Sequence, residues 1–86
     1  YGLEADGVLH LSDGRYALIE FKLGESGIEE GAKHLCKIER LVREFNKKER
    51  QNHLRMPDLK LVITATQFGY RRDDGVLVIP IGCLKD

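Results

Sequence analysis

The first quarter of the chain is rich in short apolar runs, in which residues two apart would share one face of a β-strand. Two such runs, residues 2–11 and 15–22, flank residues 12–14, which contain an Asp-Gly dipeptide. Because an Asp-Gly dipeptide flanked by apolar residues favours a tight turn, the pattern predicts a β-hairpin at the start of the chain.

The spacing of apolar residues then changes to the three- and four-residue steps of an amphipathic helix, predicted from about residue 27 to about residue 48. Ser26 is the expected N-cap, with Glu29 three residues later completing a capping box. Gly31 lowers helix propensity by about 1 kcal/mol relative to Ala, so we expect it to mark close packing on a sheet. The apolar stripe consists of Ile28, Ala32, Leu35, Ile38, Leu41, Val42 and Phe45.

The remainder of the chain predicts three more strands. Residues 59–65 are nearly all apolar, which is typical of a central strand covered on both faces. Residues 68–72 and 76–81 predict a second hairpin, with Pro80 placing the end of its last strand at an edge. A helix is expected to begin in residues 82–84. The predicted fold class is α/β (α+β): a mixed β-sheet with a packed crossover helix, in the order β-β-α-β followed by a β-hairpin.

Composition limits the chain to one domain, residues 1–86, with fourteen basic and fourteen acidic side chains. Zero net charge gives no overall field that attracts nucleic acid, although residues 1–25 carry −3 and residues 26–58 carry +2. Without a signal peptide or an apolar run of about 18–20 residues, we expect a cytoplasmic protein with no membrane partner. Cys36 and Cys83 fit a reducing compartment, with one disulfide left open. A first residue other than Met suggests a fragment.

Three carboxylates and one lysine are the candidate chemical residues of the first hairpin. Side chains two apart share a strand face, so Glu4 is expected beside Asp6, and Glu20 beside Lys22. Two carboxylates about 4 Å apart repel by roughly 1 kcal/mol in water and about 4 kcal/mol at an effective dielectric near 20. Lys22 offsets only part of that repulsion, so the pattern predicts a divalent metal site and one carboxyl with a raised pKa.

The spacing of Asp6 and Glu20-Phe21-Lys22, followed by a helix, resembles the PD-(D/E)XK motif of the restriction-endonuclease-like superfamily. Residues 4–6, 17–22, the Gly-rich helix start and residues 70–80 are together similar to one group, the C-terminal nuclease-like domain of unknown function behind an AAA-type ATPase module in bacterial and archaeal proteins. The similarity covers essentially the whole chain. The superfamily's upstream helix and strand are missing, as are the ATPase module and its Walker motifs, so we expect a domain truncated at the N-terminus.

The resemblance implies a catalytic set of Asp6, Glu20 and Lys22 that hydrolyses DNA phosphodiester bonds with Mg²⁺ or Mn²⁺. Asp6 and Glu20 would be the metal ligands, together with the backbone carbonyl of Phe21. Lys22 would orient or deprotonate the attacking water. Glu4 is a possible further ligand. Hard cations choose oxygen ligands of this kind.

Other interpretations of the same residues remain open. Glu20 and Lys22 are also a common surface pair, of under about 1 kcal/mol. The fold could persist as an inactive module that regulates an attached ATPase domain, dimerises with it or recruits partners to it. A plain interaction domain could use the helix face or an unpaired sheet edge, which could also support a homodimer. His10 has the strand parity of Glu4 and Asp6 and could reach the site, but a position in solvent or at the edge of the core is favoured for it. His34 is predicted to be solvated.

Overall fold

The chain forms a small α+β domain with a mixed five-stranded sheet and one α-helix. The structure is a computed structural model that describes residues 5–49, 51 and 53–84. Its elements are β1 (Gly7–His10), β2 (Tyr16–Lys22), α1 (Glu25–Lys48), β3 (Leu59–Thr64), β4 (Tyr70–Arg71), β5 (Leu77–Pro80) and a 3-10 helix (Ile81–Leu84). The predicted order of elements is confirmed, and the helix expected after residue 81 is a single 3-10 turn.

The sheet has the strand order β1-β2-β3-β5-β4, with parallel strands at its centre and antiparallel strands at both edges. β2 and β3 are parallel, with Glu20 opposite Val62, and α1 connects them. β3 and β5 are also parallel. β1 pairs antiparallel with β2, and β4 with β5. The mixed sheet with a crossover helix is therefore confirmed, and β3 is the central strand.

Both hairpins turn through loops of the same design. The Gly14 N–H donates to the Leu11 carbonyl at 3.1 Å, and Gly14 has a φ of +93°. In the second loop the Gly75 N–H donates to the Arg72 carbonyl at 3.0 Å, and Gly75 has a φ of +86°. Glycine adopts this left-handed conformation without the steric cost of a Cβ atom, which explains the Asp-Gly dipeptide at both positions.

The core lies between α1 and one face of the sheet. It contains Leu18, Ile28, Ala32, Leu35, Val62, Val76 and Val78. The first half of the helical apolar stripe is buried, whereas Leu41, Val42 and Phe45 in the second half are only half-buried. In the part of the chain that the structure describes, no helix combines the length and apolar character needed to cross a bilayer.

The helix begins two residues earlier than predicted, and it uses a different cap. Gly24 is the N-cap, in an extended conformation with no side-chain capping bond, and Ser26 lies inside the first turn. Glycine is an acceptable N-cap residue, and the Gly27 N–H donates to the Gly24 carbonyl at 3.2 Å. Glu25 adds a negative charge near the helix N-terminus, where the helix dipole favours it.

The prediction that Pro80 lies at an edge is correct only locally. β5 is an interior strand, and the edge strand is the two-residue β4. Pro80 pairs with Thr64 of β3 and lies beyond the last β4–β5 pair, Tyr70 with Val78. Its missing N–H therefore removes no bond from the short edge ladder.

The second face of the sheet is apolar and has no helix on it among the described residues. By strand alternation it carries Leu9, Ala17, Ile19, Phe21, Leu59, Leu61, Ile63, Leu77 and Ile79. Leu9 is 51% exposed and Phe21 is 53% exposed. Leu61 and Ile63 of β3 are nevertheless buried on this face, at 9% and 7% exposed, so the prediction of a central strand buried on both faces is confirmed for residues 61–64, although α1 covers only one of those faces.

We expect Gly69→Ala to destabilise the domain because a Cβ atom at Gly69 would lie 2.9 Å from the backbone oxygen of Val78 and 3.0 Å from Cδ of Pro80. A forced shift of the β5 backbone should lower the free energy of unfolding by about 1–3 kcal/mol in a urea titration. Gly82→Ala is the matched control, because a Cβ atom there meets open space. Equal stabilities of the two variants would contradict the close approach of Gly69 to β5.

Candidate metal centre

Strand β2 directs Glu20 and Lys22 to the face of the sheet that α1 covers. Glu20 is 3% exposed, and the Lys22 side chain is 27% exposed. The predicted shared face of these two residues is confirmed by their common neighbour: a Cβ atom at Gly31 would lie 3.5 Å from Cβ of Glu20 and 3.3 Å from Cγ of Lys22. The pair therefore lies beneath the helix and is not on an open surface.

Asp6 lies beside Glu20, but the prediction that Asp6 belongs to the first strand is wrong. β1 begins at Gly7, and Asp6 occupies a bend immediately before it. Its Oδ2 accepts a hydrogen bond from the Phe21 N–H at 2.9 Å, so a side chain takes the position that a ladder carbonyl would otherwise have. The Asp6 and Glu20 carboxyl groups lie close enough for each to shift the pKa of the other. The structure thus brings Asp6 and Glu20 together, as the hairpin register requires.

Two glycines one helical turn apart allow α1 to lie directly on these side chains. A Cβ atom at Gly27 would lie 3.0 Å from Cδ of Lys22, and one at Gly31 would lie 3.4 Å from Cε of Lys22. The aliphatic stem of Lys22 occupies the space that larger residues would fill. The expectation that Gly31 marks close packing is confirmed, and Gly27 has the same role.

The Lys22 ammonium group is only loosely held. Its Nζ lies 3.4 Å from Oε1 of Glu30, which is one turn into the helix and has a side chain that is 81% exposed. An ion pair this open to water contributes little to stability. The ammonium group is therefore not fixed by this contact, and its positive charge acts on the Asp6 carboxyl group, whose pKa it helps to lower.

His34 belongs to the site, which corrects the prediction that it is solvated. Its Nδ1 contacts Oε1 of Glu20, and its side chain is 29% exposed. The sequence contains one signal that could have found it. Gly27, Gly31 and His34 follow each other at four- and three-residue steps, so they lie on one face of α1.

The pKa values of the two carboxyl groups are shifted in opposite directions. Burial, followed by the hydrogen bond with Asp6, raises the pKa of Glu20, while contact with His34 acts in the other direction. The hydrogen bond from the Phe21 N–H, followed by contact with Glu20, lowers the pKa of Asp6. Glu20 is thus the carboxyl that holds a proton more readily than Asp6. The prediction that one carboxyl has a raised pKa is confirmed for Glu20.

The oxygen atoms around Asp6 and Glu20 fit a hard cation, but the protein supplies few ligands. Within residues 5–49, 51 and 53–84, no group of three or more His, Cys, Asp or Glu side chains is placed to hold a metal ion. Two carboxylates and the Phe21 carbonyl would have to be completed by water, which Mg²⁺ accepts. Glu4, the possible further ligand, lies outside the described residues.

The remaining candidates lie away from the site. His10 is exposed, which agrees with the solvent position among the alternatives for it, and its ring is 5.9 Å from that of Tyr16. Cys36 is a half-buried free thiol, so the disulfide that the sequence left open is not formed.

We expect Glu20→Gln to stabilise the metal-free protein at neutral pH. The pKa of Glu20 is higher in the folded protein than its ordinary value of 4.5. The folded state is therefore favoured by protonation of Glu20 at low pH, and it loses this stabilisation as the pH rises through the folded-state pKa. Glutamine carries no charge, so this loss disappears. Each 1 kcal/mol gained would raise Tm by about 4–8 °C for a domain of this size.

Thermal unfolding in EDTA between pH 4 and pH 8 measures this difference. The gain should grow with pH and be absent in Glu44→Gln, where an exposed helix glutamate is changed in the same way. A gain that is constant with pH would contradict the role of Glu20 ionisation.

Comparison with known proteins assigns nothing to this site. No family model, no curated protein and no solved structure matches the chain.

Proposed function

We propose that this chain carries a metal-dependent phosphodiesterase site of the PD-(D/E)XK type, acting on DNA as part of an AAA-type ATPase protein. The observation that supports it most strongly is the contact between the Asp6 and Glu20 carboxyl groups, with Lys22 two residues further along the same strand face. Two carboxyl groups in contact, one of them buried, are electrostatically unfavourable unless a proton or a cation lies between them.

The proposal includes a restriction-endonuclease-like fold. In its support, the motif residues lie on the two arms of a hairpin, and the second arm is joined by α1 to a parallel neighbour. The site is then at the carboxyl end of β2, where ligands commonly bind in open sheets with parallel strands. Phe21 lies two residues beyond the last β1–β2 pair, Gly7 with Ile19. In an extended strand its carbonyl points to the same side as its N–H, which is the side of Asp6.

Phosphodiester hydrolysis requires an oriented water, neutralised phosphate charge and a stabilised leaving oxygen. A divalent cation held by Asp6, Glu20 and the Phe21 carbonyl would supply Lewis-acid chemistry at this point. Lys22, whose side chain is partly exposed, would orient the attacking water and offset phosphate charge through its ammonium group. Asp6 is the exposed carboxylate, and Glu20 is the buried one. The site is therefore open to substrate on the Asp6 side.

A second candidate is an inactive nuclease-like module that binds partners, dimerises or regulates an attached ATPase domain. Two contacts favour it. Glu20 is already bonded to His34, and Lys22 is paired with Glu30, so the catalytic side chains have protein partners. Metal uptake and DNA cleavage separate the two candidates.

We expect millimolar Mg²⁺ or Mn²⁺ to raise the Tm of the wild-type protein. Binding to the folded state alone stabilises it by about 2.7 kcal/mol at 100 times Kd. Asp6→Asn should lose the metal-dependent shift while keeping an oxygen for the Phe21 N–H. Asp73→Asn, at an exposed turn position, should keep the shift. An unchanged Tm of the wild type in either metal would count against a cation at this site.

We expect nicking of supercoiled DNA in Mg²⁺ or Mn²⁺ to fall by about 10²–10⁴-fold in Lys22→Met, the range typical of a lost proton-transfer group. Methionine keeps the stem that contacts Gly27 and Gly31, so the packing beneath α1 is preserved. Lys37→Met, on the exposed side of the helix, is the control. Cleavage that survives in both Asp6→Asn and Lys22→Met would come from a contaminant. Absence of cleavage by the wild-type protein would favour the inactive module.

A further inference from the structure

His34 is the one imidazole that the described structure places against the carboxylate pair. It comes from the third turn of α1, whereas Glu20 comes from the middle of the sheet, fourteen residues earlier. Its Nδ1 meets Oε1 of Glu20 from the helix side, and Asp6 meets the same carboxyl group from the β1 side. Glu20 is thus held between two elements.

The surroundings of Glu20 leave few alternatives to His34 as a donor. The residue is 3% exposed, so water reaches it poorly, and Gly31 packs against its Cβ atom. An ionised carboxylate in this position needs hydrogen-bond donors, because burial without them is strongly unfavourable. Among the described side chains, no buried nitrogen or oxygen lacks a partner. The His34 contact is what satisfies Oε1.

We propose that His34 is a positioning residue, whose Nδ1–H donates to Oε1 of Glu20 and turns the carboxylate so that its other oxygen faces Asp6 and a cation held there. This inference depends on the proposed metal site. Carboxylates that bind metals are commonly oriented by such partners, and loss of the partner typically weakens metal affinity by about 10–100-fold. In this role His34 acts through Glu20 and binds neither the substrate nor the metal itself.

The test compares His34→Leu with His34→Asn by measuring Mn²⁺ binding in isothermal titration calorimetry. Leucine removes the donor but keeps an apolar side chain of helical preference, whereas the amide of asparagine carries an N–H near the place of Nδ1. We expect the Kd for Mn²⁺ to rise about 10–100-fold in His34→Leu. In His34→Asn we expect most of the lost affinity to return. Lys37→Leu, on the exposed side of α1, should bind as the wild type does.

The outcomes separate this inference from the proposed function. A wild-type protein that takes up no Mn²⁺ overturns both. A wild type that binds Mn²⁺ while His34→Leu binds it equally well overturns only the role of His34. If His34→Leu fails to fold in EDTA, His34→Asn and the tautomer of the wild-type ring decide. The tautomer is read by ¹⁵N NMR of the imidazole: protonation at Nδ1 alone supports the proposal, and protonation at Nε2 alone overturns it.

Discussion

Burial of the Glu20 carboxyl group beneath α1 is the constraint on which the rest of the structure depends. A carboxyl that is 3% exposed must find its hydrogen-bond partners within the protein. Asp6 supplies one from the start of the first hairpin, and His34 supplies the other from the helix. These contacts join three separate parts of the chain at one point. The candidate site and the packing of helix on sheet are therefore parts of the same arrangement.

The close approach of α1 to the sheet makes the burial of Glu20 possible. The glycines that allow this approach lower the helix propensity of α1. Gly27 and Gly31 each lower that propensity by about 1 kcal/mol relative to alanine. In return, the backbone of α1 lies against the stem of Lys22 and the Cβ atom of Glu20. Larger residues would lift the helix and expose the carboxyl group to water. An arrangement that gives up local stability for a precise placement of polar groups is typical of functional sites.

Much of this fold could be predicted from the sequence because its signals are local. Apolar runs on either side of Asp-Gly turns predicted the hairpins, and strand parity placed Glu20 beside Lys22. The contact of His34 with Glu20 could not be predicted, because it depends on how α1 is rotated on the sheet. The bend at Asp6 was missed because its carboxylate replaces a backbone acceptor, a choice that alternation does not encode. The predicted start of the helix was wrong because a glycine N-cap leaves a weaker sequence signal than the apparent capping box of Ser26 and Glu29.

The apolar second face of the sheet has a consequence for the behaviour of the chain in water. Leu9, Phe21 and Leu59 are each about half-exposed there, on neighbouring strands. With zero net charge, no long-range repulsion keeps two such faces apart. Sulfate and similar salts strengthen apolar association, whereas urea weakens it. The tendency of this domain to self-associate or precipitate should therefore follow the Hofmeister ranking of the salt more closely than its ionic strength.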